Sequence, residues 1–113
     1  MNIDKLIQLY ENENNQIVKW IAIVLNDWKI SDKDIDDLVY VIEKYFGNTW
    51  IDDEKEYERV YKIWADFKNT EIVSSPGMTM NERLWVFGLM DRFDQSKSDV
   101  EKEVIYKKLK AKI

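Results

Sequence analysis

The sequence predicts an all-α protein, a single-domain bundle of five or six helices over residues 1–113. Apolar residues recur at helical spacing in successive segments, and no hairpin signal interrupts them. Three segments begin with a capping-box pattern, which is typical of helix starts. The 3 glycines and 1 proline lie almost entirely between the periodic segments. A chain of this length can bury enough surface for one hydrophobic core.

The first two helices are predicted from their apolar positions. The spacing i, i+3, i+4, i+7 over residues 3–10 predicts a short helix with one buried face. In residues 17–28 the apolar side chains surround the helix axis, which predicts a central buried helix. Its β-branched content leaves a strand as the alternative. The apolar positions of the two segments are Ile3, Leu6, Ile7, Tyr10, Ile17, Val18, Trp20, Ile21, Val24, Leu25 and Trp28.

Start and stop signals predict the third and fourth helices. Ser31 to Asp34 form a capping-box pattern ahead of a helical face, and Gly47 is predicted to end that helix in a left-handed conformation. Asp52 or Asp53 can cap the fourth helix. The two apolar faces consist of Ile35, Leu38, Val39, Ile42, Phe46, and then Tyr57, Val60, Tyr61, Trp64 and Phe67.

The C-terminal third is predicted to begin after a turn at residues 74–77. Thr79 with Glu82 opens one helix, which runs through Leu84 and Phe87 to Phe93. Gly88 inside that helix would cost about 1 kcal/mol relative to alanine, which indicates close packing against a neighbouring helix. A capping box at residues 98–101 opens the last helix. Its final turns carry lysines that complement the helix dipole, at Lys107, Lys108, Lys110 and Lys112.

The composition argues against several classes of function. The chain has no histidine and no cysteine, so the commonest general base and the ordinary zinc ligands are missing. No glycine-rich phosphate loop or nucleophile elbow favours an enzyme. The absence of cysteine is typical of a reducing compartment. The first residues lack a signal-peptide pattern, and no apolar run approaches the ~20 residues of a bilayer span. These observations predict a soluble, cytoplasmic protein.

Charge is distributed unevenly along the chain. Residues 1–58 carry 14 acids and 6 bases, whereas residues 59–113 carry 8 acids and 11 bases. The isoelectric point near 4.8 argues against nucleic acid as a direct partner, because phosphate binding requires clustered lysine and arginine. A one-sided negative field instead predicts a partner with a positive surface.

Two acidic segments are candidate partner-binding sites. The first consists of Asp52, Asp53, Glu54, Glu56 and Glu58, and the second of Asp32, Asp34, Asp36 and Asp37. The alternative for the first segment is a solvent-exposed helix start that binds no partner and whose acids complement the helix dipole. The second, with Glu43, imitates the spacing of an EF-hand loop, but Asp37 stands where the loop needs glycine. We therefore predict no metal and no cofactor.

The five tryptophans are predicted to divide between core and interface. Trp20, Trp64 and Trp85 lie on apolar helical faces and are assigned to the core, while Trp28 at a helix end is ambiguous. Trp50 lies in a short connection directly before the first acidic segment. Tryptophan is a favoured interface anchor, so Trp50 is predicted to bind the partner. A packed loop residue is the alternative for Trp50.

One block near the C-terminus resembles a known class of proteins. Residues 78–94 contain Asn81-Glu82-Arg83-Leu84, an aromatic at position 85, Gly88-Leu89 and Phe93-Asp94. This arrangement resembles the C-terminal block of small bacterial proteins, some of which look like immunity proteins of polymorphic toxin or contact-dependent inhibition systems. The resemblance covers about 17 to 35 residues and implies a partner that is a protein toxin, in many cases a nuclease with a basic cleft.

The resemblance implies an immunity-type protein that binds and neutralises a toxin through an acidic patch. Two other binding functions remain open. One is a phage-type inhibitor that mimics nucleic-acid charge against a host defence enzyme. The other is a helical adaptor whose acidic surface only keeps it soluble, in which case an apolar groove would bind the partner.

Overall fold

The structure, a computed structural model, describes residues 1–49 and 51–111. In that part of the chain seven α-helices form, with a π-helical turn at Lys68–Ile72 and a 3-10 turn at Ser75–Gly77. The all-α prediction is confirmed, although five or six helices is too low a number. The α-helices are α1 (Ile3–Glu11), α2 (Gln16–Ile30), α3 (Ile35–Asn48), α4 (Glu54–Phe67), α5 (Met80–Val86), α6 (Met90–Asp94) and α7 (Asp99–Lys108).

Helices α1 to α4 run alternately up and down around one core, because short connections make consecutive helices antiparallel neighbours. Two tyrosines tie the helices at one end of this bundle. The Tyr10 hydroxyl donates to the Val60 carbonyl at 2.9 Å, and the Tyr45 hydroxyl donates to the Ile17 carbonyl at 2.6 Å. The apolar faces predicted for α1, α3 and α4 point inward, and Trp64 is fully buried.

Helix α2 is buried on one side only, which corrects the prediction of a helix buried all round. Val18, Ile21, Leu25 and Trp28 are in the core, whereas Trp20 is 48% exposed. No helix covers the outer face of α2 in the described part of the chain. Apolar residues on that face, such as Trp20, are therefore exposed to solvent. The assignment of Trp85 to the core is also wrong, since that ring is 57% exposed on α5.

Gly88 lies between α5 and α6 and not inside a helix, which explains the extra helix. It adopts φ +66°, a left-handed conformation that favours glycine. The Leu89 N–H donates to the Leu84 carbonyl at 2.9 Å and the Gly88 N–H to the Trp85 carbonyl at 3.3 Å, as in a Schellman motif. The expected close approach is confirmed. A Cβ on Gly88 would lie 2.9 Å from the Asp4 Oδ1 atom.

Helix caps agree with the sequence at three of the predicted starts. Asp53, Thr79 and Ser98 each accept a backbone N–H from the first turn of α4, α5 and α7. At α3 the cap is Asp34, paired with Asp37 three residues later, and not Ser31. Gly47 does not stop α3, which continues to Asn48.

Candidate partner-binding surface

The first acidic segment forms the start of α4. The Asp53 Oδ1 atom accepts the backbone N–H groups of Lys55 at 2.9 Å and Glu56 at 3.3 Å. Asp53 is therefore committed to the helix cap. Glu54 and Glu58 are exposed, and within residues 1–49 and 51–111 their carboxylates have neither a hydrogen-bond nor an ion-pair partner. Their charge is available to an external cation.

Arg59 connects this segment to the α1–α2 connection. Its Nε donates to the Glu56 Oε2 atom at 3.0 Å, and its Nη2 pairs with both Glu56 and Glu13. The hydrogen bond from Arg59 lowers the pKa of the Glu56 carboxyl. The bonds to Glu56 and then Glu13 raise the pKa of the guanidinium. The contact brings the acids of residues 11–15 beside those of α4.

We call residues 11–15 and 52–59 together the acidic end. These residues hold 7 carboxylates and 2 bases, a net charge of −5, which equals the formal charge of the whole chain. The carboxylates are Glu11, Glu13, Asp52, Asp53, Glu54, Glu56 and Glu58. The sequence analysis missed Glu13 because the fold brings it to α4 from 46 residues away, through its ion pair with Arg59. Trp50, the predicted anchor, lies outside the described residues.

The second acidic segment lies in what we call the α2–α3 corner, residues 28–37. Two of its aspartates cap α3. The Asp34 Oδ1 atom accepts the Asp37 N–H at 3.0 Å, and the Asp37 Oδ2 atom accepts the Asp34 N–H at 3.1 Å. This reciprocal capping box occupies both carboxylates. The interval that imitates an EF-hand therefore continues into α3 instead of forming a loop.

Cations from the C-terminal helices bind the other two aspartates of the corner. Arg92 on α6 donates to the Asp32 Oδ1 atom at 2.5 Å, and also to the Ser31 carbonyl at 2.8 Å. Lys110, just after α7, pairs with Asp36. Asp32 and Asp36 therefore have internal counter-charges, whereas Glu54 and Glu58 have none in the described part of the chain.

Lys108, predicted to complement the α7 dipole, is buried beneath the corner. It has 0% exposure, and its Nζ donates to the carbonyls of Trp28, Ser31 and Lys33. The ammonium also lies 3.8 Å from the centre of the Trp28 ring, a cation–π contact. Burial, and next the Arg92 charge, lower the pKa of Lys108 to about 7, although nearby aspartates raise it.

Glu43, named above only for its EF-hand-like spacing, joins α3 to α4. Glu43 accepts from the Tyr61 hydroxyl at 2.9 Å, from Trp64 Nε1 at 3.3 Å and from Lys68 Nζ at 2.5 Å. Burial raises the pKa of Glu43, but the bonds from Lys68, Tyr61 and Trp64 outweigh it and hold the pKa below its ordinary value. Because Glu43 accepts from three side chains, its carboxylate has a structural role and links α3 to α4.

Over residues 1–49 and 51–111, no three potential metal ligands come together in a group that could hold an ion. The helices in this part of the chain are all too short or too polar to cross a membrane. A comparison of the chain with protein-family models, with curated proteins and with solved structures finds no match. The functional argument therefore depends on the surface itself.

Proposed function

We propose that this chain is an immunity-type protein, which binds a cognate protein toxin in the cytoplasm and covers its basic surface with the acidic end. The observation that carries the proposal is the concentration of carboxylates in the acidic end, two of which have no hydrogen bond or ion pair within the described residues. Glu54 and Glu58 are exposed on one end of the bundle, beside a cap and an ion-pair cluster. Within the described residues the only internal use of this charge is the interaction of Glu54 with the α4 dipole.

A nuclease toxin is the partner that such a surface fits best. A nuclease must hold phosphates, so its substrate cleft is positive, and a carboxylate-rich surface can occupy that cleft. Charges of this kind accelerate encounter and make it sensitive to salt. Inhibition would follow because the substrate phosphates and the acidic end compete for the same cations.

The α2–α3 corner is the weaker candidate for the same task. A partner that engaged Asp32 or Asp36 would have to displace Arg92 or Lys110 first. The lost internal bonds would offset the new ones. We therefore propose that the acidic end binds the partner, with Asp52, Asp53, Glu54, Glu56 and Glu58 as its α4 part, and that Trp50, which precedes them in the sequence, is the anchor.

The test uses charge reversal at residues that do not support the fold. Glu54→Lys with Glu58→Lys should slow association with the toxin about tenfold or more and remove much of its salt dependence. Asp53 is left intact because it caps α4. The matched control is Asp94→Lys with Glu103→Lys, two exposed acids elsewhere that give the same net charge. The probe is the product of the neighbouring open reading frame, measured by surface plasmon resonance at two salt concentrations.

The expected result is binding that is slowed by the first pair of changes and not by the second. Equal rates for the wild type and Glu54/Glu58 variant would overturn the assignment of the acidic end. A neighbouring product that neither binds this chain nor is inhibited by it would overturn the immunity function. Binding to a host defence enzyme instead, with the same salt dependence, would identify the phage-type alternative.

An adaptor function has one observation in its favour, the exposed outer face of α2. Trp20 and Ile23 lie there at 48% and 41% exposure. If an adaptor partner bound this face, Trp20→Glu would abolish binding and the Glu54/Glu58 reversal would leave it unchanged.

A further inference from the structure

The outer face of α2 carries a row of exposed apolar side chains. Trp20, Ile23 and Ile30 are 48%, 41% and 77% exposed. They lie opposite the buried positions of the same helix, among them Leu25. The adjacent helix α3 also exposes two large apolar side chains, Tyr40 at 66% and Val41 at 38%. An apolar row of this kind marks an interaction site more often than a random surface does.

Two opposite charges flank the centre of this row. Lys19 lies four residues before Ile23, and Asp27 lies four residues after it. Both side chains are exposed, and within the described residues neither has an ion-pair partner. Their own helix cannot supply one, because the positions three and four residues away from each hold no charge of opposite sign. The two charges are thus placed symmetrically and left unpaired.

We propose that a second copy of this chain docks on this face, with the two α2 helices antiparallel about a two-fold axis at Ile23. In that arrangement Ile23 meets its own equivalent, and Lys19 of each copy faces Asp27 of the other. A four-residue offset is about 6 Å along a helix, so the two charges come to the same height from opposite directions. At the 8–10 Å separation usual for packed helices, a lysine side chain can span the remaining gap.

The balance of charge is the reason that the occupant is a second copy. A partner of one sign would be attracted by one flank of the row and repelled by the other. An isologous interface uses the same patch twice, so a patch with one cation and one anion at equal distances from its centre complements itself. Trp20 lies beside the centre and would flank Ile23 of the second copy, as an aromatic anchor does.

Charge reversal with rescue tests the register. Lys19→Asp puts two pairs of like charges in contact and should weaken the dimer about tenfold or more. Asp27→Lys should do the same. The double variant Lys19→Asp with Asp27→Lys restores opposite charges and should return the dissociation constant to within about threefold of the wild-type value. None of these changes opposes the α2 dipole, since an acid then stands nearer the N-terminus and a base nearer the C-terminus.

Trp20→Glu tests the apolar part of the interface and should weaken the dimer about 30-fold or more, as loss of a hot-spot residue does. The matched control is Trp85→Glu, which removes another exposed tryptophan from a different helix and should change nothing. Sedimentation velocity over a concentration series gives the association state, and circular dichroism confirms the fold. A wild-type chain that stays monomeric over the series, or a double variant no better than the singles, would overturn the proposal. Because the acidic end is not involved, this failure would leave the toxin-binding proposal intact.

Discussion

Two acidic segments of similar composition, residues 32–37 and 52–58, are used differently by the fold. In the α2–α3 corner, two aspartates cap α3 and two pair with Arg92 and Lys110 from the C-terminal helices. At the acidic end, one aspartate caps α4 and one glutamate pairs with Arg59, while Glu54 and Glu58 face solvent. Acidic composition therefore does not identify a binding surface. The two segments differ in which carboxylates the fold leaves without a partner.

The same comparison explains the charge asymmetry between the two halves of the sequence. The basic second half supplies Arg92, Lys108 and Lys110, and all three bind the corner that the acidic first half supplies. The acidic end, at the other end of the bundle, keeps a net charge of −5. The cations of the C-terminal helices therefore compensate the acids of the corner but not those of the acidic end.

The largest expected effect comes from Lys108, which anchors the C-terminal helices to the corner. Lys108→Ala should destabilise the fold by about 2–4 kcal/mol, since it removes a buried stem and leaves carbonyls without a donor. The neighbouring exposed Lys107→Ala should change the free energy of unfolding by less than about 0.5 kcal/mol. Urea denaturation measures both. Equal effects would mean that Lys108 does not hold the corner.

The next largest effect on the free energy of unfolding is expected at Gly88, in the turn between α5 and α6. Gly88→Ala should destabilise by about 2 kcal/mol, because an L residue is strained at a left-handed φ and its Cβ would meet Ile3 and Asp4. Gly47→Ala is the matched change, since Gly47 lies inside α3 with nothing within 4 Å of the added Cβ. That variant should stabilise by about 0.5–1 kcal/mol. Thermal melts of the two variants should shift in opposite directions.

Local signals in the sequence predicted the caps of α4, α5 and α7 and the apolar faces of α1, α3 and α4. Asp53, Thr79 and Ser98 need only their own first turns, so local chemistry was sufficient. The exposure of Trp20 was not predictable, because a helix that is apolar all round gives no indication of which neighbour is missing. The ion pairs of Asp32 and Asp36 were not predictable either. Their partners, Arg92 and Lys110, lie 60 and 74 residues away in the chain. Pairings of that range depend on the tertiary fold.

The lowered pKa of Lys108 predicts how the stability of the fold depends on pH. Its pKa is about 7 in the folded chain, against an ordinary value of 10.5 that applies after unfolding. Between these values the unfolded state binds more protons, so the free energy of unfolding should rise as the pH rises from about 7 to 10. Lys108→Met cannot titrate and should lose this rise. Chemical denaturation of both proteins across that range measures the difference. A wild-type curve parallel to that of Lys108→Met would show that the ammonium is as stable in the corner as in water.

The smallest effect compares one carboxylate from each segment. Asp32→Asn removes an ion pair with Arg92 that is largely exposed, so it should cost no more than about 0.5–1 kcal/mol at low salt. Glu54→Gln removes a charge that only complements the α4 dipole, and its cost should be a few tenths of a kcal/mol (about 0.3). Screening by about 1 M salt should reduce the Asp32 effect, because the pair lies near the surface. The reverse order, with Glu54→Gln the costlier change, would mean that the acidic end supports the fold. Its carboxylates would then be structural, and the case for a partner there would lose the observation on which it depends.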